Sequence, residues 1–393
     1  MIEPDEIIFF DNNATTQLDP RVVEEMLPFL SRYFGNPSSG YRFASQVRDA
    51  IELARSRVAG LLRCEPAEII FTSGGTESNN AALNSATQLD PARRHIVTTS
   101  VEHSAVRKHC AHLAGCGCSV ATVDVNGEGE LDLGALQAAL RPDTAIISAM
   151  WANNETGVIF PVAEVARIAR AKGVFFHTDA IQAAGKVEID LHDSPINFLS
   201  ISGHKLHGPK GVGALYINRR SAFRPSFFGG SHENDRRAGT ENVAGIVGFG
   251  KAAELASEGL RLEQEKVRVL RDRFESAMLK AIPGAAVNGV RAGRLPNTTS
   301  ISFPGVDAGA ALLLLDQRGV CCSAGSACRT ASLECSHVLR AMGLSDEAAR
   351  GSLRFSFGRY NTEQEIERGI QIVAETIAKL RRLSAPPVAA SVV

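Results

Sequence analysis

Between residues 68 and 217, short apolar runs alternate with segments of helical periodicity, and this constrains the chain more than any other feature. The spacing predicts strands over 68–72, 95–99, 119–123, 145–149, 174–178, 197–201 and 213–217. Between them it predicts helices over 77–88, 104–114, 132–140 and 162–171. Such alternation builds a mainly parallel sheet with helices on both faces. Upstream, residues 7–16 read as a short strand running into a polar turn. A helix is expected over 20–32, with Asp19 as N-cap and Pro20 in the first turn. Residues 44–62 carry Val47, Ile51, Ala54, Val58 and Leu61 at helical spacing. Downstream, 241–280 reads as one long helix that leaves the sheet. A strand (298–303), a helix (307–319), a strand (352–357) and a helix (362–382) follow, as in a smaller α+β domain. The expected fold class is therefore α/β, a large domain followed by a small C-terminal one. The expected divisions are an N-terminal segment 1–15, a large domain 16–255, a small domain 256–382 and a disordered tail 383–393.

Composition narrows the function classes. A net charge of −1 in 393 residues gives no electrostatic footprint for nucleic acid or an anionic membrane. No apolar run reaches the roughly 18 residues that a membrane helix needs. The acidic opening Met1-Ile2-Glu3-Pro4-Asp5-Glu6 lacks the basic region of a signal peptide. The eight cysteines are irregularly spaced, so reduced thiols in the cytoplasm are expected.

The ends of the expected strands carry the chemistry. Lys205 stands where the run Phe198–Ile201 breaks into the glycine-bounded loop Ser202-Gly203-His204-Lys205-Leu206-His207-Gly208. A lysine in such a loop is more often simply solvated, but one at a strand end can hold an aldehyde cofactor as a Schiff base. Asp179 ends the preceding strand and supplies the carboxylate that would keep a cofactor ring nitrogen protonated. Open α/β sheets bind ligands at this carboxyl edge. Gly74-Gly75-Thr76 joins a strand to a helix start, which suits either a phosphate or ordinary N-capping. His103 follows another strand, as does Asn154 in Asn153-Asn154-Glu155-Thr156-Gly157. Gln182 lies about one turn beyond Asp179, and His177 shares that strand's face.

A second reactive region spans 319–337. Cys328 sits among Gly325, Ser326 and Ala327, beside Arg329, which would favour its thiolate. Mobility is expected there. Cys321 and Cys322 read as buried strand residues, and a metal set of Cys322, Cys328, Cys335 and His337 lacks standard zinc spacing. Arg354, in an apolar strand, suits either a bound carboxylate or an internal ion pair.

Ten ordered motifs between about Phe10 and Thr362 resemble one family: DNNATT, FTSGGTESNN, EHSAV, NNETGV, HTDAIQAAGK, SGHKLHGPKGVG, RRAGTEN, CSAGSAC, SLECSHVL and LRFSFGRYNT. The chain resembles the group I cysteine desulfurases, class V aminotransferases of the fold-type I pyridoxal-phosphate enzymes. That resemblance implies pyridoxal 5'-phosphate on Lys205, with Asp179 on the ring nitrogen, Gln182 on the ring oxygen and His103 stacked on the ring. It implies Gly75, Thr76, Ser202 and His204 around the phosphate. Thr240 is implied to reach the phosphate of a partner subunit, and so a homodimer. Asn154 and Arg354 are implied to orient L-cysteine, and Cys328 to take its sulfur as a persulfide. The implied acceptor is an iron–sulfur scaffold or another sulfur-carrying protein. The chain departs from the family pattern at Gly229–Asn234, Ser38–Tyr41 and Ser332–His337, though at no catalytic position. A selenocysteine lyase or an aminotransferase shares the fold, but a transaminase has no use for Cys328. A non-catalytic binding paralogue has no use for Lys205, Asp179 and His103.

Overall fold

The computed structural model describes residues 6–324 and 335–384. Strand β1 (Ile8–Phe9) is followed by α1 (Pro20–Ser31) and α2 (Arg42–Leu62). Asp19 caps α1 by accepting from Arg21 N at 3.0 Å, ahead of Pro20. The alternating region then runs β2 (Ile69–Thr72), α3 (Gly75–Leu89), β3 (His95–Thr99), α4 (Ser104–Gly115), β4 (Ser119–Val123), α5 (Leu133–Ala138), β5 (Thr144–Ser148), α6 (Val162–Ala171), β6 (Phe175–Asp179), β7 (Phe198–Ser202) and β8 (Gly213–Ile217). These strands form one sheet in the order β2-β8-β7-β6-β5-β3-β4. All neighbours pair in parallel except β8, which is antiparallel to both β7 and β2.

Pleating explains the layers. Ile69 and Phe71 of β2 join one apolar cluster and Ile70 the other, and Val97 and Ile96 of β3 divide the same way. Helices α2 and α6 cover the first face, and α3 and α4 the second. Both faces are therefore dry, which is why these strands read as continuous apolar runs.

The helical stretch after the sheet corrects one sequence expectation. Residues 241–280 are not a single helix. Helix α7 (Val243–Glu258) stops at Gly259, a one-turn α8 (Leu260–Leu262) follows, and a π-helical turn over Glu263–Val267 leads into α9 (Arg268–Ala281). Gly259 has φ −87° and ψ 0°, outside the helical values, so the axis is re-set there. The remaining elements are β9 (Ala286–Val287), β10 (Thr298–Ser302), α10 (Ala308–Asp316), β11 (Val320–Cys321), α11 (His337–Ala341), α12 (Asp346–Arg350), β12 (Ser352–Ser356) and α13 (Glu363–Ser384). Strands β12-β10-β9 make an antiparallel sheet, and β1 pairs in parallel with β11. A third apolar cluster gathers Ile8 and Phe10 with Phe274, Phe303, Phe355 and Phe357. Phe10 meets Phe274 and Phe357 edge-on at 5.6 and 4.9 Å. The first strand is thus held by residues more than two hundred positions away, and it carries Asp11–Thr16 back to the main sheet. The expected mobile loop around Cys328 lies outside the described residues, and of the tail expected over 383–393, residues 383 and 384 continue α13 while the rest is not described.

Candidate active site

Five strand ends open onto one cavity of about 230 Å³. Gly75 and Thr76 come after β2, His103 after β3, and Asn154 after β5. Asp179 and Gln182 come at the end of β6, and Ser202, His204 and Lys205 at the end of β7. All nine line that cavity. Apolar side chains of Ala14, Met150, Ala152 and Ile181 complete its wall.

The Gly74–Gly75 turn requires its glycines. Gly74 has φ +147°, and a Cβ on Gly75 would fall 1.9 Å from Ile181 Cδ1. The first turn of α3 is therefore pressed against the cavity wall, and Gly74, its N-cap, offers no side-chain acceptor to the N–H groups there.

Asp179 is buried, and burial pushes its carboxyl above the usual range; His103 and the Asn79 amide oppose that rise. Asn79 donates to Oδ2 at 2.7 Å and Ile181 N to Oδ1 at 3.1 Å. A cation on the cavity side would likewise oppose that rise. Lys205 is lowered to about 7 by burial, then by the Arg354 and Lys186 cations. Its ammonium donates to the backbone carbonyl of Asn13 and, at 2.7 Å, to that of Ala14. His103 caps α4, its Nδ1 accepting from Ala105 N at 3.2 Å. This leaves the ring proton on Nε2. Burial also lowers the imidazole below its ordinary value. Gln182 Nε2 donates to Asn13 O at 3.0 Å, while Oε1 is buried without a partner. His204 sits 3.2 Å from Thr15 Oγ1 and is lowered to about 4, chiefly by burial.

Of the other expected site residues, Arg354 and Thr240 are described and Cys328 is not. Arg354 does not line the cavity; it lies behind Asn154, donating to Asn154 O at 2.8 Å and to Asp11 Oδ1 at 2.6 Å. Thr240 is exposed and away from the cavity of its own chain. Cys328 lies outside the described residues.

Sequence reasoning missed the supports. Asn13 and Ala14 hold Lys205, Asn79 holds Asp179, and Asp11 holds Arg354. Asn79 had a readable signal, since it stands four positions after Gly75 and so on the same face of α3.

Comparison with known proteins agrees with this geometry. The aminotransferase class-V family matches residues 8–368. A cysteine desulfurase of Trichormus azollae is 50% identical over 378 residues, 96% of this chain and 94% of that protein. A solved NifS-like protein superposes with a TM-score of 0.89 at 37% identity, covering 95% of this chain and 100% of its own. SspA in complex with cysteine superposes with a TM-score of 0.79 at 33% identity, over 90% of this chain and 99% of its own. The chain belongs to the class-V aminotransferases, in their cysteine desulfurase branch.

Proposed function

We propose that this protein is a cysteine desulfurase: L-cysteine becomes L-alanine, and the sulfur passes to Cys328 as a persulfide. The observation that carries the reading is the convergence of half-buried Lys205 and buried Asp179 on one cavity with the first turn of α3. The family's cofactor is pyridoxal phosphate, and the residues present fit it. Among the described residues no cation lies within ion-pair distance of Asp179, Gln182 Oε1 has no partner, and the N-cap of α3 offers no side-chain cap. Asp179 would hold the ring nitrogen, Gln182 and His103 the ring, and Gly75, Thr76, Ser202 and His204 the phosphate. When bound, pyridoxal phosphate supplies an aldehyde that takes up an amine and a ring that draws electron density from an amino acid's α-carbon.

The chain's own groups account for the rest. A lysine lowered to about 7 is substantially neutral at neutral pH, so Lys205 Nζ can attack a carbonyl or take up a proton. His103 presents an Nε2 proton beside it. Ala14, Met150, Ala152 and Ile181 give the same space an apolar wall. Arg354 braces Asn154 from behind, and its Nε has no partner among the described residues, which supports a part in orienting a substrate carboxylate. Cys328 thiolate attacks the substrate sulfur. The carbon–sulfur bond breaks, its electron pair goes to carbon, and protonation there gives alanine. The persulfide then moves to an acceptor such as an iron–sulfur scaffold.

The exposed Thr240 suits a homodimer in which it completes the partner's site. The irregular spacing of the eight cysteines favours reduced thiols, and the reading is of a cytoplasmic enzyme. No described helix is long and apolar enough to cross a membrane. The test is the visible absorbance of the purified protein and of Lys205→Ala. Wild type loaded with pyridoxal phosphate is expected to show a visible band that the variant lacks. A wild type that stays colourless and inactive after addition of the cofactor would contradict the proposal.

A further inference from the structure

Lys205 borders a second space besides the main cavity. This second space is a partly open pocket with about 10 Å³ of room, enough for one water. Lys186, Glu263, His207 and Arg359 border it as well. Lys186 is 5% exposed, yet its Nζ has no hydrogen-bond partner among the described residues. An ammonium buried in this way needs compensation, because desolvation without a partner costs several kcal/mol. The compensating charge is close but not touching. Glu263 is also 5% exposed and makes no side-chain hydrogen bond among the described residues. Its closest cation is Arg359 Nε at 3.9 Å, beyond direct hydrogen-bonding range.

The backbone holds these groups in place. Gly185, with φ +70°, turns the chain immediately before Lys186, and a Cβ there would meet Leu206 Cδ2 at 2.6 Å. Glu263 opens the π-helical turn that breaks the 241–280 stretch. Such turns are rare and occur often at functional sites. The next residue, Gln264, donates from Nε2 to Lys186 O at 3.3 Å and ties that turn to Lys186. The charged and titratable groups bordering the chamber are thus Glu263 from the π turn, Arg359 after β12, His207 after β7, and Lys205 itself. His207 is held neutral, lowered to about 4 mainly by burial.

We propose that this chamber holds one water tying Lys186 Nζ to the Glu263 carboxylate, and that Lys186 is thereby a positioning residue that fixes a cation behind Lys205. Through that cation Lys186 keeps the Lys205 nitrogen unprotonated more of the time, without touching the cofactor cavity. Burial lowers Lys186 to about 8, Glu263 opposes that fall and so keeps it mostly charged at neutral pH, and the π turn sets the one-water gap. The inference rests on the reading of Lys205 as the cofactor-bearing residue.

Two measurements test it. In a high-resolution crystal structure of the wild type, an ordered water should lie within hydrogen-bond distance of Lys186 Nζ and of Glu263. An empty chamber, or Nζ bonded directly to Glu263, overturns the proposal. In the second, wild type, Lys186→Met and Lys186→Arg are loaded with pyridoxal phosphate, and the visible band is titrated against pH without substrate. Removing the cation in Lys186→Met should move the midpoint upward, by roughly one pH unit. Lys186→Arg keeps the cation and should stay near wild type. Loaded proteins whose midpoints all coincide overturn the role of Lys186 while leaving the proposed function intact. If wild type forms no visible band, the reading of Lys205 fails instead, and the crystallographic water still decides whether the chamber is built as proposed.

Discussion

Replacing Glu233 with alanine should cost this protein more than any ordinary surface change, although Glu233 lies outside the cavity. Its carboxylate takes Arg55 Nη1 at 2.7 Å and Nη2 at 2.8 Å, and it accepts from Phe71 N at 2.8 Å. The side chains of Arg55 and Glu233 are 8% and 3% exposed. Glu233→Ala would leave a buried guanidinium whose remaining carboxylate is Glu52, 3.2 Å away and 63% exposed. It would also leave the Phe71 N–H unpaired. Breaking one side of a buried pair costs about 3–5 kcal/mol, and the stranded N–H is part of that figure. The loss is set against a whole-protein stability of only about 5–15 kcal/mol. The effect reaches the site because the same segment holds Arg237, whose Nε meets Glu77 Oε1 at 2.9 Å on the first turn of α3. Equilibrium urea unfolding of wild type, Glu233→Ala and Arg55→Met/Glu233→Leu measures this directly. The single variant should lose about 3–5 kcal/mol, and the apolar pair should recover much of it. A Glu233→Ala loss below about 1 kcal/mol would refute the reasoning, since the stranded Arg55 charge would then carry no penalty.

Further consequences are open to measurement. Asp179→Asn should still bind pyridoxal phosphate through Lys205 but turn over on the order of 100-fold more slowly; alanine release at saturating cysteine checks this, and near-normal turnover contradicts it. Lys205 is lowered to about 7, so its reactive neutral form should accumulate as pH rises through that value. Cofactor loading of the cofactor-free protein should therefore speed up between about pH 6 and 8 and then level off, whereas an unperturbed lysine would keep gaining until about pH 10. Arg354→Lys cannot reproduce the fork that spans Asn154 O and Asp11, so kcat/KM for cysteine should fall at least about tenfold, with the KM change measured separately. Unchanged constants would remove Arg354 from the account.

What could be read from the sequence follows from what is local. The strands of the main sheet are dry on both faces, so Ile69-Ile70-Phe71 and Ile146-Ile147 announce themselves as continuous apolar runs. Lys205 and Asp179 stand at strand ends, and parallel topology alone brings those ends to one edge. The supports were hidden because they are non-local. Asp11 meets Arg354 across 343 positions, and Asn13 meets Lys205 across 192. The break at Gly259 was masked by strong helix formers before it, Ala252 to Leu255, and by apolar residues at helical spacing after it, Val267, Leu270 and Phe274, which keep the periodicity alive through a changed axis. The Lys186–Glu263 chamber gave no sequence signal, because it depends on a gap of one water between two elements.

The central claim is that sulfur leaves cysteine on Cys328 while Lys205 and Asp179 manage the other half of the molecule. Wild type loaded with cofactor and given L-cysteine should release alanine, and peptide mass spectrometry should find one added sulfur atom on Cys328. Cys328→Ser should keep the visible band yet release almost no alanine, because serine is a poor nucleophile toward sulfur. An added sulfur found instead on Cys321, Cys322 or Cys335, or normal alanine release from Cys328→Ser, would contradict the account.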